Sequence, residues 1–182
     1  KLPEALAVQR KAQAIVERAL PVDSPLQERS STALAIILDY QRTPDALREA
    51  RVYLRRSLDW LETHAPELYF ERAIALGELG LNHRYSGEYR QAAALFEQAL
   101  AMGVKSDAPS DHPAFAMGYG LLGLSLFEAH DIAAARAPLE RSVAITRATL
   151  DAPTSDSIDA FAPLSYIRLV EGRAIERACA GT

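Results

Sequence analysis

The residues of this 182-residue sequence that could carry acid–base or metal chemistry are few and scattered. The histidines lie far apart along the chain and none has a second ligand at metal-binding spacing, so we expect each of them to be structural. They are His64, His83, His112 and His130. Cys179 is the only cysteine, which excludes an internal disulfide and a cysteine-based metal cage. These residues predict neither a catalytic centre nor a metal site.

Two further patterns could carry chemistry, a series of glutamates and a glycine-rich run. Glu67, Glu71 and Glu78 fall along one predicted helix, without a neighbour that would tune them as an acid–base pair. The run GYGLLG, Gly118 to Gly123, has the spacing of a dinucleotide-binding fingerprint, but no strand precedes it and it lies inside a predicted helix. We therefore predict a protein without catalytic residues or cofactors, which is not an enzyme.

Charge and hydropathy exclude two classes of partner. The formal net charge is −4, and arginines such as Arg55 and Arg56 are interspersed with acidic residues, so we expect no nucleic-acid partner. The uncharged stretch FAMGYGLLGLSLF, Phe115 to Phe127, is shorter than the roughly 20 residues needed to cross a bilayer, and we expect no membrane partner. The start at Lys1 suggests a fragment of a longer protein. For its compartment we favour the cytoplasm, with the periplasm as the alternative.

Helices must position whatever site the chain carries. Apolar residues recur at the i, i+3, i+4 and i+7 spacing of amphipathic helices, and no strand-like alternation interrupts them. Prolines and capping residues delimit the periodic segments. The predicted helices are 3–20, 24–41, 45–64, 66–86, 88–102, 112–130, 131–150 and 157–180, the last with a break near Gly172. Their short connections predict antiparallel hairpins.

The hairpins repeat. The segment LGELGLNHRYSGEYRQAAALFEQAL, 76–100, aligns without gaps on YGLLGLSLFEAHDIAAARAPLERSV, 119–143. The offset of 43 residues places Gly80 on Gly123, and a weaker copy precedes them at 34–58. Small residues at such positions let the two helices of a hairpin approach closely. We expect Gly80 to face Ala92, and Gly123 to face Ala135.

The segment 76–100 resembles the tetratricopeptide repeat, a helix–turn–helix unit. The matching residues are Leu76, Leu79, Gly80, Gly87, Tyr89, Ala92, Phe96, Ala99 and Leu100. A repeat length of 42 to 43 residues, rather than about 34, resembles the longer repeats of kinesin light chains and of bacterial signalling proteins. The resemblance implies an all-α fold, a right-handed α-solenoid of antiparallel helix hairpins. Its parts would be a capping helix at 1–22, repeats at about 24–64, 66–108 and 112–152, and a partial repeat at 155–182.

In such a stack, the first helix of each hairpin lines a concave groove. A rotation of 100° per residue separates the side chains that face the groove from those that face the core. The predicted partner-binding residues are Arg42, Ile74, Leu81, Arg84, Tyr85, Met117, Leu124 and Phe127. Because a contiguous apolar patch is unusual on a monomer, something should cover it. The candidates are a peptide or protein with an apolar face, a second copy of the chain in a homodimer, and the curved wall itself.

The groove composition also limits the mode of binding. Its positions hold no lysine, and Asn82, the sole asparagine, falls off the groove side. This argues against the clamp on a peptide carboxylate found in chaperone-binding members of the family. The resemblance therefore implies a non-enzymatic scaffold that binds proteins or peptides, which we interpret as a regulatory part of a bacterial signalling protein. The alternative is a ligand-sensing or self-assembly domain of a transcription regulator or kinase.

Overall fold

The computed structural model describes residues 1–149, 164–165 and 167–168 of the chain. These residues contain seven α-helices and no strand. The helices are α1 (Leu2–Ala19), α2 (Pro25–Asp39), α3 (Pro44–His64), α4 (Tyr69–Tyr85), α5 (Tyr89–Val104), α6 (Pro113–Glu128) and α7 (Ile132–Thr149). The predicted all-α class is confirmed. Apart from the four residues just given, the predicted helix 157–180 and Cys179 lie outside the described residues.

Proline and a capping side chain start several helices. A proline stands in the first turn of three helices: Pro25 in α2, Pro44 in α3 and Pro113 in α6. At these positions the missing N–H of proline removes no helical hydrogen bond. The side chains of Ser24 and Thr43 accept hydrogen bonds from backbone N–H groups in the first turns of α2 and α3. These local signals are readable in the sequence, which explains why the predicted helix starts agree closely with the structure.

The start of α4 differs from its prediction. The sequence 65–67 has a proline and an acid and predicts a helix from residue 66, but α4 begins at Tyr69. The N–H of Leu68 instead donates to the carbonyl of Ala65, which closes a turn. Arg72 then donates to the carbonyl of Pro66 at 2.8 Å and holds this turn against α4. The turn at 65–68 and this local contact therefore accompany the later start of the helix.

The helices divide between two compact units. The first unit spans Lys1–Asp107 and contains α1 to α5, and the second begins at Ala108 and contains α6 and α7. In the first unit each helix packs on the next one, and α2 also contacts α4. Because α2 and α4 are the first helices of successive hairpins, this contact places side chains of both on one wall. In the second unit α6 packs on α7.

Equivalent residues of the repeats have equivalent surroundings. Ala50, Ala92 and Ala135, which share one repeat position, are all 0% exposed. The close approach at the glycines is confirmed. A Cβ on Gly123 would lie 3.1 Å from the carbonyl oxygen of Ala135 and 2.5 Å from Cγ of Leu139.

At Gly80 the nearest atoms belong to Phe96, one turn beyond the expected Ala92. A Cβ on Gly80 would lie 2.9 Å from Cε1 of Phe96. Phe96 is the counterpart of Leu139, so the large side chain one turn further along the second helix packs on the glycine in both hairpins.

Candidate functional site

One face of α4 carries most of the predicted partner-binding residues of the first unit. Ile74, Glu78, Leu81 and Tyr85 follow one another at i, i+4, i+7 and i+11, a spacing that puts them on the same side of a helix. Ile74 is 47% exposed, whereas the other side chains are half-buried. The helix therefore presents an aliphatic stripe that ends in a phenol and includes one carboxylate.

The end of α2 brings charge to this stripe. Arg42 lies in the turn after α2 with a left-handed backbone, φ 55°. Its guanidinium carbon sits 3.1 Å from the ring centroid of Tyr85, which is a cation–π contact. The structure thus brings together two predicted residues that are far apart in sequence. We call the surface formed by Asp39, Arg42, Ile74, Glu78, Leu81 and Tyr85 the α2–α4 face.

Arg84 lies beside this face. It is half-buried, and its charge lowers the pKa of Tyr85. Burial acts in the opposite direction and is the larger effect, so the pKa of Tyr85 is raised above its ordinary value. The phenol therefore stays protonated at neutral pH and remains a hydrogen-bond donor.

Asp39 is the most buried charged group of the α2–α4 face, with 4% exposure. Asn82 donates to its Oδ1 at 2.6 Å, while Oδ2 has no hydrogen-bond partner among the described residues. Burial raises the pKa of Asp39 to about 6, although the Asn82 hydrogen bond and the charges of Arg42 and Arg51 lower it. The carboxylate thus carries its charge at neutral pH in a poorly compensated position.

Asn82 fixes Asp39 by a buried network. The amide is 0% exposed and donates its second hydrogen to the carbonyl of Leu47 at 2.9 Å. Its oxygen accepts from Nε of Arg51 at 2.8 Å. Arg51 also pairs with Glu88 at 3.0 Å. One asparagine therefore ties α2, α3 and α4 together, and all of its hydrogen-bonding groups are used.

The one histidine in this network has a structural environment. Nδ1 of His83 contacts Oε2 of Glu88 in the turn after α4. Burial lowers the pKa of His83, and the charge of Arg51 lowers it further, whereas Glu88 raises it. The contact closes the turn between α4 and α5 and does not reach the α2–α4 face.

Asp39 and Glu78 belong to the α2–α4 face but were not among the predicted partner-binding residues. Burial raises the pKa of Glu78, and the charge of Asp39 raises it further. A signal was present, because Glu78 stands four residues after Ile74 and Asp39 stands three before Arg42. Their place on one face, however, depends on how α2 and α4 pack.

In the second unit, α6 presents the remaining predicted residues. Met117 is 50% exposed. Leu124 and Phe127 are partly buried and pack against the core of their own unit. The buried residues of that core are Ala135, Leu139, Val143, Leu164 and Ile167. Of the three predicted residues, Met117 is therefore the one that presents most of its side chain to solvent.

Two other kinds of site, a membrane span and a metal centre, would each have a structural signature of their own. In the described part of the chain, none of the helices is long and apolar enough to cross a membrane. Within the same residues, no group of three or more His, Cys, Asp or Glu side chains is arranged to hold a metal ion. The α2–α4 face can bind a ligand by hydrophobic contact, cation–π contact and charge pairing.

Comparisons with known proteins agree with this architecture. Residues 72–106 match the family model of the tetratricopeptide repeat. One similar solved structure is that of a Podosopora anserina protein with nearly identical TPR-like repeats, which is assigned as a kinesin light chain. The alignment covers 96% of this chain and 81% of that protein, with 21% identity and a TM-score of 0.74. A single-substitution variant of it gives 20% identity, the same coverage and a TM-score of 0.76.

BtubC (BKLC) from P. vanneervenii is another protein with a similar solved structure. The alignment covers 100% of this chain and 75% of BtubC, with 18% identity and a TM-score of 0.74. No curated protein sequence matches the chain. The structural likenesses confirm the predicted fold of tetratricopeptide-like hairpins.

Proposed function

We propose that this chain, whose hairpins are of the tetratricopeptide type, is a non-enzymatic scaffold that binds a peptide or protein with an apolar face. Stacked helical repeats present extended surfaces to partners, which supports a role in protein interaction. The observation that carries the proposal is the aliphatic stripe on α4, where Ile74 is 47% exposed beside the half-buried Leu81. Full burial of such a side chain contributes about 1.5 to 3 kcal/mol. The exposed Met117 on α6 gives the second unit an apolar contact of its own.

The arginines give the partner an orientation. Arg42 and Arg84 would pair with acidic residues that flank the apolar segment of the partner. Arg42 is already held on the ring of Tyr85, so less side-chain entropy is lost when it binds. Its guanidinium can keep this contact while its outer N–H groups donate to a carboxylate.

The parent protein is part of the same proposal. The repeat length and the alanine- and arginine-rich sequence support a regulatory segment of a bacterial signalling protein. In that setting the scaffold would recruit a protein and would not transform a substrate.

A random-peptide display library panned on the full chain tests this function. We expect enrichment of peptides that carry large apolar residues at helical or alternating spacing. For the best peptide, Ile74→Ala should weaken binding by about 3- to 30-fold, because it removes part of an apolar contact. Fluorescence polarisation of the labelled peptide measures the change.

Val104→Ala is the matched control, because Val104 is equally aliphatic and 70% exposed but lies on α5. It should leave affinity unchanged. Failure to enrich any peptide, or equal losses from Val104→Ala and Ile74→Ala, would contradict the proposal. Sedimentation at increasing concentration examines the alternative occupant, since a second copy on the stripe would appear as a dimer that Ile74→Ala disrupts.

A further inference from the structure

One side of α1 is apolar and faces solvent. It is formed by Ala5, Val8, Ala12, Ile15 and Ala19, whose spacing of alternately three and four residues puts them on one side of a helix. Val8 is 67% exposed and Ile15 is 57% exposed. We call this surface the outer face of α1.

The side of α1 that packs on α2 is largely polar. Gln9 donates to the carbonyl of Ser30 at 3.1 Å, and Gln13, which is 3% exposed, donates to the hydroxyl of Ser31 at 3.4 Å. Leu6 adds an apolar contact to the core. A surface helix normally directs its apolar residues to the core and its polar residues to solvent. The apolar outer face is therefore expected to have a cover of its own.

The next hairpin shows what kind of element fits there. On α3, Arg51 contacts α4, and Ser57, six residues later, hydrogen-bonds to Thr32 of α2. On α1, Gln9 contacts α2, and Ile15, six residues later, is exposed. An equal step along a helix turns a side chain through an equal angle. The outer face of α1 is thus the counterpart of the surface on which α3 receives α2, and a helix fits it.

The charged residues beside the outer face indicate the chemistry of such a helix. Lys11 and Arg18 border the face on the side away from α2, and both are exposed. Neither forms a hydrogen bond or ion pair with any other described residue. Glu4 precedes them near the start of α1, so this edge is basic along its second half.

A basic edge favours an acidic partner over a second copy of the chain. An antiparallel second copy, centred on the outer face, would place the two copies of Lys11 side by side. A parallel copy would bring its edge to the side of α1 that α2 already occupies. A helix with acidic residues along one edge meets neither obstacle.

We propose that the outer face of α1 binds an amphipathic α-helix of a partner protein, in the place that α2 takes on α3. Apolar residues of this helix contact Val8 and Ile15, and the alanines between them allow a close approach. Its acidic edge pairs with Lys11 and Arg18. The site shares no residue with the α2–α4 face and goes beyond the proposed function.

Two synthetic helical peptides test this site on the full chain. Both carry leucine and alanine along one side, and they differ in having either glutamates or lysines along the edges of that side. We expect the glutamate peptide to bind about tenfold more tightly or better, at constant ionic strength, by fluorescence polarisation. The double change Lys11→Glu with Arg18→Glu should reverse this preference, which a loss of folding would not do.

A matched pair of variants locates the apolar contact. Val8 on α1 is 67% exposed and Val52 on α3 is 66% exposed, so both variants should fold. Val8→Ala should weaken binding of the glutamate peptide by about 3- to 10-fold, because it removes part of an apolar contact. Val52→Ala should leave the affinity unchanged, and so should Ile74→Ala on the α2–α4 face.

Equal affinity for the two peptides, or equal losses from Val8→Ala and Val52→Ala, would overturn the proposal. A loss from Ile74→Ala alone would place the peptide on the α2–α4 face instead. Sedimentation of the chain alone examines a second copy, since a dimer that Val8→Ala dissociates would assign the outer face to self-association. The glutamate helix can also be fused ahead of Lys1 through a short turn. A higher Tm of this fusion, without binding of the free peptide, would restrict the face to an intramolecular helix and exclude a partner's.

Discussion

At the scale of single residues, two glycines one turn apart on α4 have opposite roles. A Cβ on Gly77 meets nothing within 4 Å, whereas a Cβ on Gly80 would press on the ring of Phe96, which is 1% exposed and cannot move aside cheaply. Alanine at either position gains helix propensity of about 1 kcal/mol. At Gly80, overpacking of about 1 to 3 kcal/mol opposes this gain.

We therefore expect Gly77→Ala to raise the free energy of unfolding by about 0.5 to 1 kcal/mol and Gly80→Ala to lower it. Urea denaturation followed by circular dichroism at 222 nm measures both changes. Equal stability of the two variants would show that Phe96 relaxes, and the close approach of the helices would then not depend on glycine.

Asp39 predicts a pH dependence of stability. Its pKa is about 6 in the folded chain, above the ordinary 3.8 of an aspartate, so the folded state binds the proton more tightly than the unfolded state does. Above pH 6 the buried charge destabilises the fold, and the destabilisation disappears as pH falls from about 6 to about 4. The charged neighbours are Arg42 in the turn after α2, Arg51 on α3 and Glu78 on α4.

Asp39→Asn should therefore raise Tm at pH 7.5, and this gain should shrink through pH 6 and vanish near pH 4. Asp59→Asn, which removes a carboxylate from the exposed side of α3, is the control for net charge. A gain from Asp39→Asn that is the same at all pH values would show that burial does not govern this carboxylate.

At the scale of the helices, equivalent turns close two hairpins by the same hydrogen bonds. The N–H of Glu88 donates to the carbonyl of His83, and that of Asp131 donates to Leu126, both at 2.9 Å. The residue before each donor is left-handed, Gly87 at φ 75° and His130 at φ 63°. Glycine adopts this backbone without strain, whereas histidine does not.

Exchanging the residue type at these turns should change stability in opposite directions. We expect His130→Gly to raise the free energy of unfolding by about 0.5 to 1 kcal/mol and Gly87→Ala to lower it by about 1 kcal/mol. Nothing lies within 4 Å of a Cβ on Gly87, so a loss of stability in Gly87→Ala would report backbone strain alone. Thermal melts of both variants measure the changes. A loss of stability in His130→Gly would mean that the imidazole has a stabilising contact.

The helices themselves were predictable because their signals are local. Pro44 with Thr43, and Pro113 with His112, mark starts that any packing would preserve. The site was only partly predictable. Periodicity puts Ile74 and Leu81 on one face, but the contact of Arg42 with Tyr85 depends on the stagger of α2 against α4, and a helical period carries no information about stagger.

At the scale of the whole molecule, the first unit contains everything that the α2–α4 face requires. Its core is formed by residues of α2, α3 and α4, with Leu6 from α1 and Leu95 from α5 packed against it. The Asn82 network also lies entirely inside the unit. About a hundred residues with a core of their own are enough for an independent domain.

A chain that ends at Asp107 should therefore fold cooperatively and keep the side-chain amide signal of Asn82 at its position in the full chain. Circular dichroism measures the melt, and the ¹⁵N-asparagine spectrum reports the surroundings of Asn82. Introducing Gly80→Ala into the short chain should lower its Tm, because the contact with Phe96 is internal to the unit. A gradual melt with a displaced Asn82 signal would instead mean that the α2–α4 face depends on residues beyond 107.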